Sequence, residues 1–248
     1  MILNRNLEIP KILHFPGASK DFIDEILQYV YDMVINVPDV EKLKYEIITC
    51  FTPDLNPNDL LLVNQLDHLN IPYINAWDYV DEETKNKPWK YIYKLIAYRN
   101  YLLSKDRLSQ EKIKRYSLIL DARDTFILSF DFPPPFKYYT SSKMLFNGGK
   151  SDYPNKYGKI TIKSSYPVFL NSGACICDSE YAAEIFAKAI EEAEKSDNEV
   201  VKVDDQAILR ELRQFEENHI KVDDECKMFQ IINNTSDLIK LEGKLIVK

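Results

Sequence analysis

Apolar residues in the first half of the chain occur alternately as short runs and as spaced stripes, the pattern of strands and helices in turn. Residues 11–15 (KILHF) form a run ending at Pro16-Gly17, which predicts a strand entering a loop. Ser19 offers an N-cap, and Phe22, Ile23, Ile26, Leu27, Val30 and Val34 recur at mostly three- and four-residue steps, so an amphipathic helix is expected there. Residues 45–51 (YEIITCF) give a second strand, a helix follows over Asp59 to Leu69, and 71–77 (IPYINAW) give a third strand. Pro88 opens a helix through about Leu103, since a proline in the first turn lacks only an N–H that has no partner there. Residues 116–120 (YSLIL) form an apolar strand that ends abruptly in Asp121-Ala122-Arg123-Asp124. Strands separated by helical stripes predict an α/β fold with a mainly parallel sheet, in which ligands bind beyond the carboxyl ends of the strands.

The second half changes character. Residues 129–165 carry Pro133-Pro134-Pro135, Gly148-Gly149 and many Ser, Tyr and Lys, which suggests a long excursion with short strands such as 143–146 (KMLF). Residues 166–177 (YPVFLNSGACIC) are an apolar strand interrupted by Asn171-Ser172-Gly173. A helix is expected over about 179–195, burying Ala182, Ile185, Phe186, Ala189, Ile190 and Ala193. Two acids, Asp204 and Asp205, precede another helix, and the tail alternates HIKV, MFQII and KLIV as short edge-like strands. No repeat or linker interrupts the pattern, so residues 1–248 are expected to form a single domain.

Composition narrows the function. The 248 residues carry 32 Lys+Arg against 39 Asp+Glu, a formal charge of −7 without a basic stripe, which argues against nucleic acid as a partner. Four scattered cysteines, Cys50, Cys175, Cys177 and Cys226, suit buried thiols better than a disulfide scaffold, and His14, His68 and His219 do not cluster with them as zinc ligands would. No apolar run is long enough to span a membrane, and the opening residues lack the apolar segment of a secretory signal, so a soluble, cytoplasmic setting is expected.

Candidate chemistry lies at four places. Asp121 and Asp124 leave a hydrophobic strand together and offer hard oxygen ligands suited to Mg²⁺ or Mn²⁺; taken alone, a strand end followed by a solvated acid explains them as well. The two intervening residues exclude the aspartate pair of a haloacid-dehalogenase phosphatase, which needs one. Asn171-Ser172-Gly173 supplies neutral donors and acceptors of the kind that grip sugar hydroxyls, or simply a bulge. Asp204-Asp205-Gln206 reads either as a helix cap or as carboxylates facing a reacting carbon. Lys94 lies off the face made by Ile92, Leu95, Ile96 and Leu103, which predicts a solvated lysine; near strand ends it could instead hold a pyrophosphate as a point charge. Trp77 and Trp89 read as core or rim aromatics.

The order of these features, D-x-x-D after an apolar strand, then LNSG, a helix, DDQ and VDDECKMFQ at 222–230, resembles nucleotide-sugar glycosyltransferases of the GT-A fold. It is most similar to the glycosyltransferase domain of procollagen lysyl hydroxylases and to procollagen galactosyltransferases, over roughly residues 88–234. The resemblance implies a Rossmann-like domain with a nucleotide-binding half at about 1–125 and a sugar and acceptor half at about 126–248. It further implies Mn²⁺ (or Mg²⁺) on Asp121 and Asp124, and donor-sugar contacts from Asn171, Ser172, Gly173 and Gln206. Asp204 and Asp205 would act in transfer, Lys94 would lie by the pyrophosphate, and Cys50, Phe51 and Thr52 near the uracil. The implied reaction moves a sugar from a UDP-sugar to a hydroxyl on a protein, such as hydroxylysine, or on a glycan. The chain departs from that family at Asn147-Gly148-Gly149, where an acid is usual. It also departs at the third metal ligand, a histidine expected near the domain's end; His219 lies too early for it, so that segment lies beyond Lys248 or another group completes the shell. A catalytically silent sugar-nucleotide binding module, and an interaction domain whose acids are only caps, are the alternatives.

Overall fold

In chain order the elements are β1 (Ile2–Leu3), β2 (Ile12–His14), α1 (Lys20–Leu27), β3 (Tyr45–Thr49), α2 (Leu61–His68), β4 (Ile74–Asn75), α3 (Glu82–Lys85), α4 (Ile92–Leu102), α5 (Lys105–Leu108) and β5 (Tyr116–Leu120). They continue with β6 (Thr125–Ile127), β7 (Met144–Gly149), β8 (Phe169–Asp178), α6 (Ser179–Lys195), α7 (Glu199–Val203), α8 (Asp205–Phe215), β9 (Ile220–Asp223), β10 (Phe229–Ile231), β11 (Leu238–Leu241) and β12 (Lys244–Val247). This computed structural model describes the chain except for residues 1, 5, 7, 29–38, 111, 112, 159, 160, 233–237, 242, 243 and 248.

The main sheet has six strands in the order β4-β3-β5-β8-β7-β9. β3 pairs parallel with β4 and β5, β7 pairs parallel with β9, and β8 runs antiparallel to both β5 and β7. The result is a mixed α/β architecture with a mostly parallel sheet flanked by helices. Alternation along β5 explains the layering. Ile119 packs with residues of α4, α6 and α8 on one face, while Leu118 and Leu120 pack on the other with Leu62 and Leu66 of α2 and with Ile12, Ile127 and Phe229. Those last three belong to a three-stranded sheet, β10-β2-β6. A third sheet joins β1, β12 and β11.

Several expectations shift. The KMLF strand runs on to Gly149 and lies inside the main sheet, so the excursion is shorter than its composition suggests. β8 passes through Asn171-Ser172-Gly173 without a break. Its pairing with β7 instead shifts register between Phe146 and Asn147, which leaves Ser172, Gly173 and Ala174 bulged on that side. KLIV is an inner strand between β1 and β11 rather than an edge. Ser19 caps α1 by accepting from the Phe22 amide, as expected; Val30 and Val34 lie outside the described residues. α4 starts at Ile92 and is buried on most sides, because α6, α8 and the turn holding Trp77 all pack against it. Its predicted single apolar face is therefore wrong, and Leu103, placed on that face, is exposed.

Candidate metal centre

β5 leaves the core at Leu120, and the next four residues carry the chain across to β6 in the small sheet. The backbone pins this crossover repeatedly. The Asp121 amide donates to the Gly173 carbonyl at 2.8 Å, the Ala122 carbonyl accepts from Leu62 at 3.0 Å, and the Asp124 carbonyl accepts from Phe15 at 2.8 Å. The Thr125 hydroxyl donates to the Asp121 carbonyl. Both carboxylates of the D-x-x-D thus stand on a rigid turn at the end of β5.

The Phe15 contact also delivers His14, the last residue of β2. His14, Asp121 and Asp124 each offer one ligand atom, and these atoms lie within 4.8 Å of one another, a group that could hold a metal ion. His14 Nε2 is 3.4 Å from Asp124 Oδ1. Both atoms are buried without a hydrogen-bond partner, an arrangement that a cation would satisfy. On the other side of the ring, Asn147 Nδ2 sits 2.7 Å from His14 Nδ1. The resemblance placed the third ligand near the chain's end. Among the described residues the histidine grouped with the two aspartates is His14 of β2, while His219 instead lies against the Ser141 carbonyl and the Tyr181 ring. The one signal in the sequence was a histidine inside the mainly apolar KILHF run.

Gly173 makes the cluster sterically possible. A Cβ on it would lie 2.3 Å from His14 Cε1, 2.6 Å from His14 Nε2 and 2.8 Å from Asp121 Oδ2. The glycine of the Asn-Ser-Gly segment is therefore a close backbone approach to two of the three side chains that could hold an ion. The Asn171 side chain accepts from the Gly173 amide at 3.0 Å. Gln206 accepts from the Ser172 amide at 3.2 Å and donates to the Tyr153 carbonyl at 2.9 Å, so it ties β8 to the loop that precedes it.

Lys94 is not solvated. Its ammonium is buried 3.0 Å from Asp121 Oδ1 and 3.1 Å from Asp205 Oδ2. Burial opposes charge on this lysine, but the two carboxylates outweigh it and hold it well above the ordinary range. Burial also raises the Asp121 carboxyl despite the ammonium beside it. Asp205 is buried in this ion pair, whereas Asp204 caps α8 by accepting from the Ala207 amide at 2.9 Å. Burial first, and then the charge of Asp205, push the Asp204 carboxyl up to about 6.

Residues after β3 complete the surroundings. Cys50 is buried within electrostatic reach of Lys94, Asp121 and Asp205, and burial pushes its thiol up to about 12. All four cysteines are buried thiols. Phe51 exchanges hydrogen bonds with the Asn75 side chain and packs near Ala122, and the Thr52 carbonyl closes a turn with Leu55. Trp77 is buried against the half-exposed Trp89, ring centroids 5.2 Å apart. Along α8, away from Lys94, a cleft of about 730 Å³ is lined by Phe169, Leu170, Ala207, Arg210 and Arg213 among others. Arg210 shapes it by donating to the carbonyls of Ser151, Pro154 and Leu170.

No helix among the described residues is long and apolar enough to cross a membrane. The structure therefore gathers Asp124, Lys94, Asp205, Cys50, Gly173 and His14 around Asp121, and gives Asn171, Ser172 and Gln206 partners in the protein itself. No family model matches this chain, and no curated protein matches it.

Proposed function

We propose that this chain is a GT-A glycosyltransferase that moves a sugar from a UDP-sugar to an acceptor hydroxyl with the help of Mn²⁺ or Mg²⁺. The observation that carries the reading is the His14-Asp121-Asp124 group at the carboxyl end of β5, in which His14 Nε2 and Asp124 Oδ1 are buried without hydrogen-bond partners. One imidazole and two carboxylates suit Mn²⁺, and the carboxylates alone would serve Mg²⁺. The mostly parallel sheet and the order of the motifs agree with it. When bound, the cation supplies charge to a departing diphosphate.

The chain's own residues would divide the remaining work. Four carboxylates, Asp121, Asp124, Asp204 and Asp205, lie within electrostatic reach of the Lys94 ammonium and outnumber it, so a divalent cation would offset their repulsion of a diphosphate. Lys94 is a brace here rather than a free grip on pyrophosphate, since its two partners already hold it. It keeps Asp121 facing the site, and it keeps Asp205 paired and unfit to act as a base. Asp204, with its carboxyl near 6, is the group suited to exchange a proton or to stabilise positive charge on the sugar. Gly173 lets the backbone of β8 approach closely, where the donor sugar would lie. The cleft along α8 starts at Leu170, beside Asn171, and would receive the acceptor.

Hydrolysis of a panel of UDP-sugars with and without Mn²⁺, followed by chromatography of released UDP, tests the reading without an acceptor. Turnover that requires Mn²⁺ is expected, and Asp124→Ala should abolish Mn²⁺-dependent UDP binding while the protein stays folded. Binding without turnover would mark a silent sugar-nucleotide module. UDP binding that ignores Mn²⁺, or none at all, overturns the proposal.

A further inference from the structure

Asn147 has no part in the reading above, yet it is fully buried on β7 where the register with β8 shifts. Its Nδ2 faces His14 Nδ1 at 2.7 Å, and its Oδ1 is buried with no hydrogen-bond partner. A neutral imidazole carries one N–H and one lone pair, and an amide nitrogen only donates. With Nδ2 against the ring, Nδ1 must accept and the proton sits on Nε2. Nε2, 3.4 Å from Asp124 Oδ1 with no hydrogen bond formed between them, then has no lone pair to offer a cation.

The ring itself has little room to turn over, because its Cε1–Nε2 edge lies against Gly173. The amide is the group that can adapt. A half-turn brings Oδ1 to Nδ1, which then takes a proton while Nε2 gives one up. No proton is gained or lost overall, and the Nε2 lone pair now faces Asp121 and Asp124. Ligating histidines characteristically donate their second N–H to an oxygen in this way.

We propose that Asn147 is a positioning residue for His14, setting the ring's tautomer and turning its amide when a divalent cation binds. This rests on the reading that His14, Asp121 and Asp124 take a cation. The chain has 3 histidines, so ring-nitrogen NMR of ¹⁵N-histidine-labelled protein can resolve His14, assigned with a His14→Gln variant. The proton should sit on Nε2 in metal-free protein and on Nδ1 after loading with diamagnetic Zn²⁺. By calorimetry, Asn147→Leu should bind Mn²⁺ about 10–100-fold more weakly. Asn147→Asp can only accept, so it should hold the Nδ1–H form in both states and bind at least as tightly as wild type. The same tautomer with and without Zn²⁺, or wild-type Mn²⁺ affinity in Asn147→Leu, overturns the role of Asn147. A wild-type protein that binds neither ion instead refutes the cation site, a failure read separately. Should Asn147→Leu fail to fold, the wild-type spectra and Asn147→Asp still decide.

Discussion

Replacing Gly173 by alanine perturbs the site by one methyl group whose position is fixed by the backbone. The new Cβ would stand 2.3 Å from His14 Cε1 and 2.8 Å from Asp121 Oδ2. Ordinary contact begins at 3.4 Å, so one of the partners must give by about 1 Å. His14 is held by the inner strand of the β10-β2-β6 sheet and by Asn147, and Asp121 by Lys94, so neither can yield without losing a contact. Overpacking of this kind destabilises a fold by roughly 1–3 kcal/mol, or about 2–12 °C in Tm for a chain of this size. Ligation is far less tolerant, since ligand distances must hold to within about 0.2 Å, and a loss of Mn²⁺ affinity of at least about tenfold is expected. Thermal melts with and without Mn²⁺ read both effects. At a hundred times Kd the ion should add about 2.7 kcal/mol to wild-type stability, and much less to the variant at the same concentration. Gly149→Ala is the control, because no heavy atom comes within 3.5 Å of its Cβ. A Gly173→Ala protein with the wild-type Mn²⁺ shift would refute the close-approach argument.

Lys94→Met leaves the buried Asp205 and the partly buried Asp121 around an apolar group, and urea unfolding should show a loss of about 3–5 kcal/mol. A change below about 1 kcal/mol would mean the ion pairs are not desolvated as described. Asp204→Asn keeps an N-cap of equal quality while removing a charge from beside Asp205. The Asp204 carboxyl lies near 6 in the fold against 3.8 normally, so between those values the folded protein holds more protons and stability falls as pH rises. The variant should therefore gain about 1–2 kcal/mol at pH 7, discounted for partial exposure, and lose part of the slope between pH 4 and 6. Asp223, also near 6, keeps the rest. Equal pH profiles for the two proteins would contradict the burial of Asp204.

Much of the frame was legible because it depends on local periodicity. The YSLIL strand and the helix over 179–195 occur where the pattern puts them, and all six residues expected on the buried side of that helix are buried. Asp121 and Asp124 could be seen because a strand ending in acids is a local feature. Lys94 was misread because amphipathicity assumes one buried face, whereas α4 is covered on most sides and its lysine is neutralised by acids from distant segments. His14 was missed as a ligand because only the pairing of β2 with β6 brings it to the crossover. Asn147 stood out solely as a place where the family that the sequence resembles usually carries an acid, since a partner 133 residues away leaves no trace in local spacing.

His14 belongs to the β10-β2-β6 layer, while Asp121 and Gly173 belong to the six-stranded one. An ion bound among them would act as a rivet added to the apolar packing, the crossover, the Asn147–His14 contact and the Phe229 amide bond to Asp223 that already join the two layers. Opening the small layer alone would then require releasing the ion. Amide hydrogens of Ile12, Leu13 and Phe229 would accordingly exchange more slowly in the loaded protein, with those of the outermost strand β4 unaffected. Occupancy of the site would then be felt as stiffness in β10 and β2, of which only β2 carries a residue of the cluster.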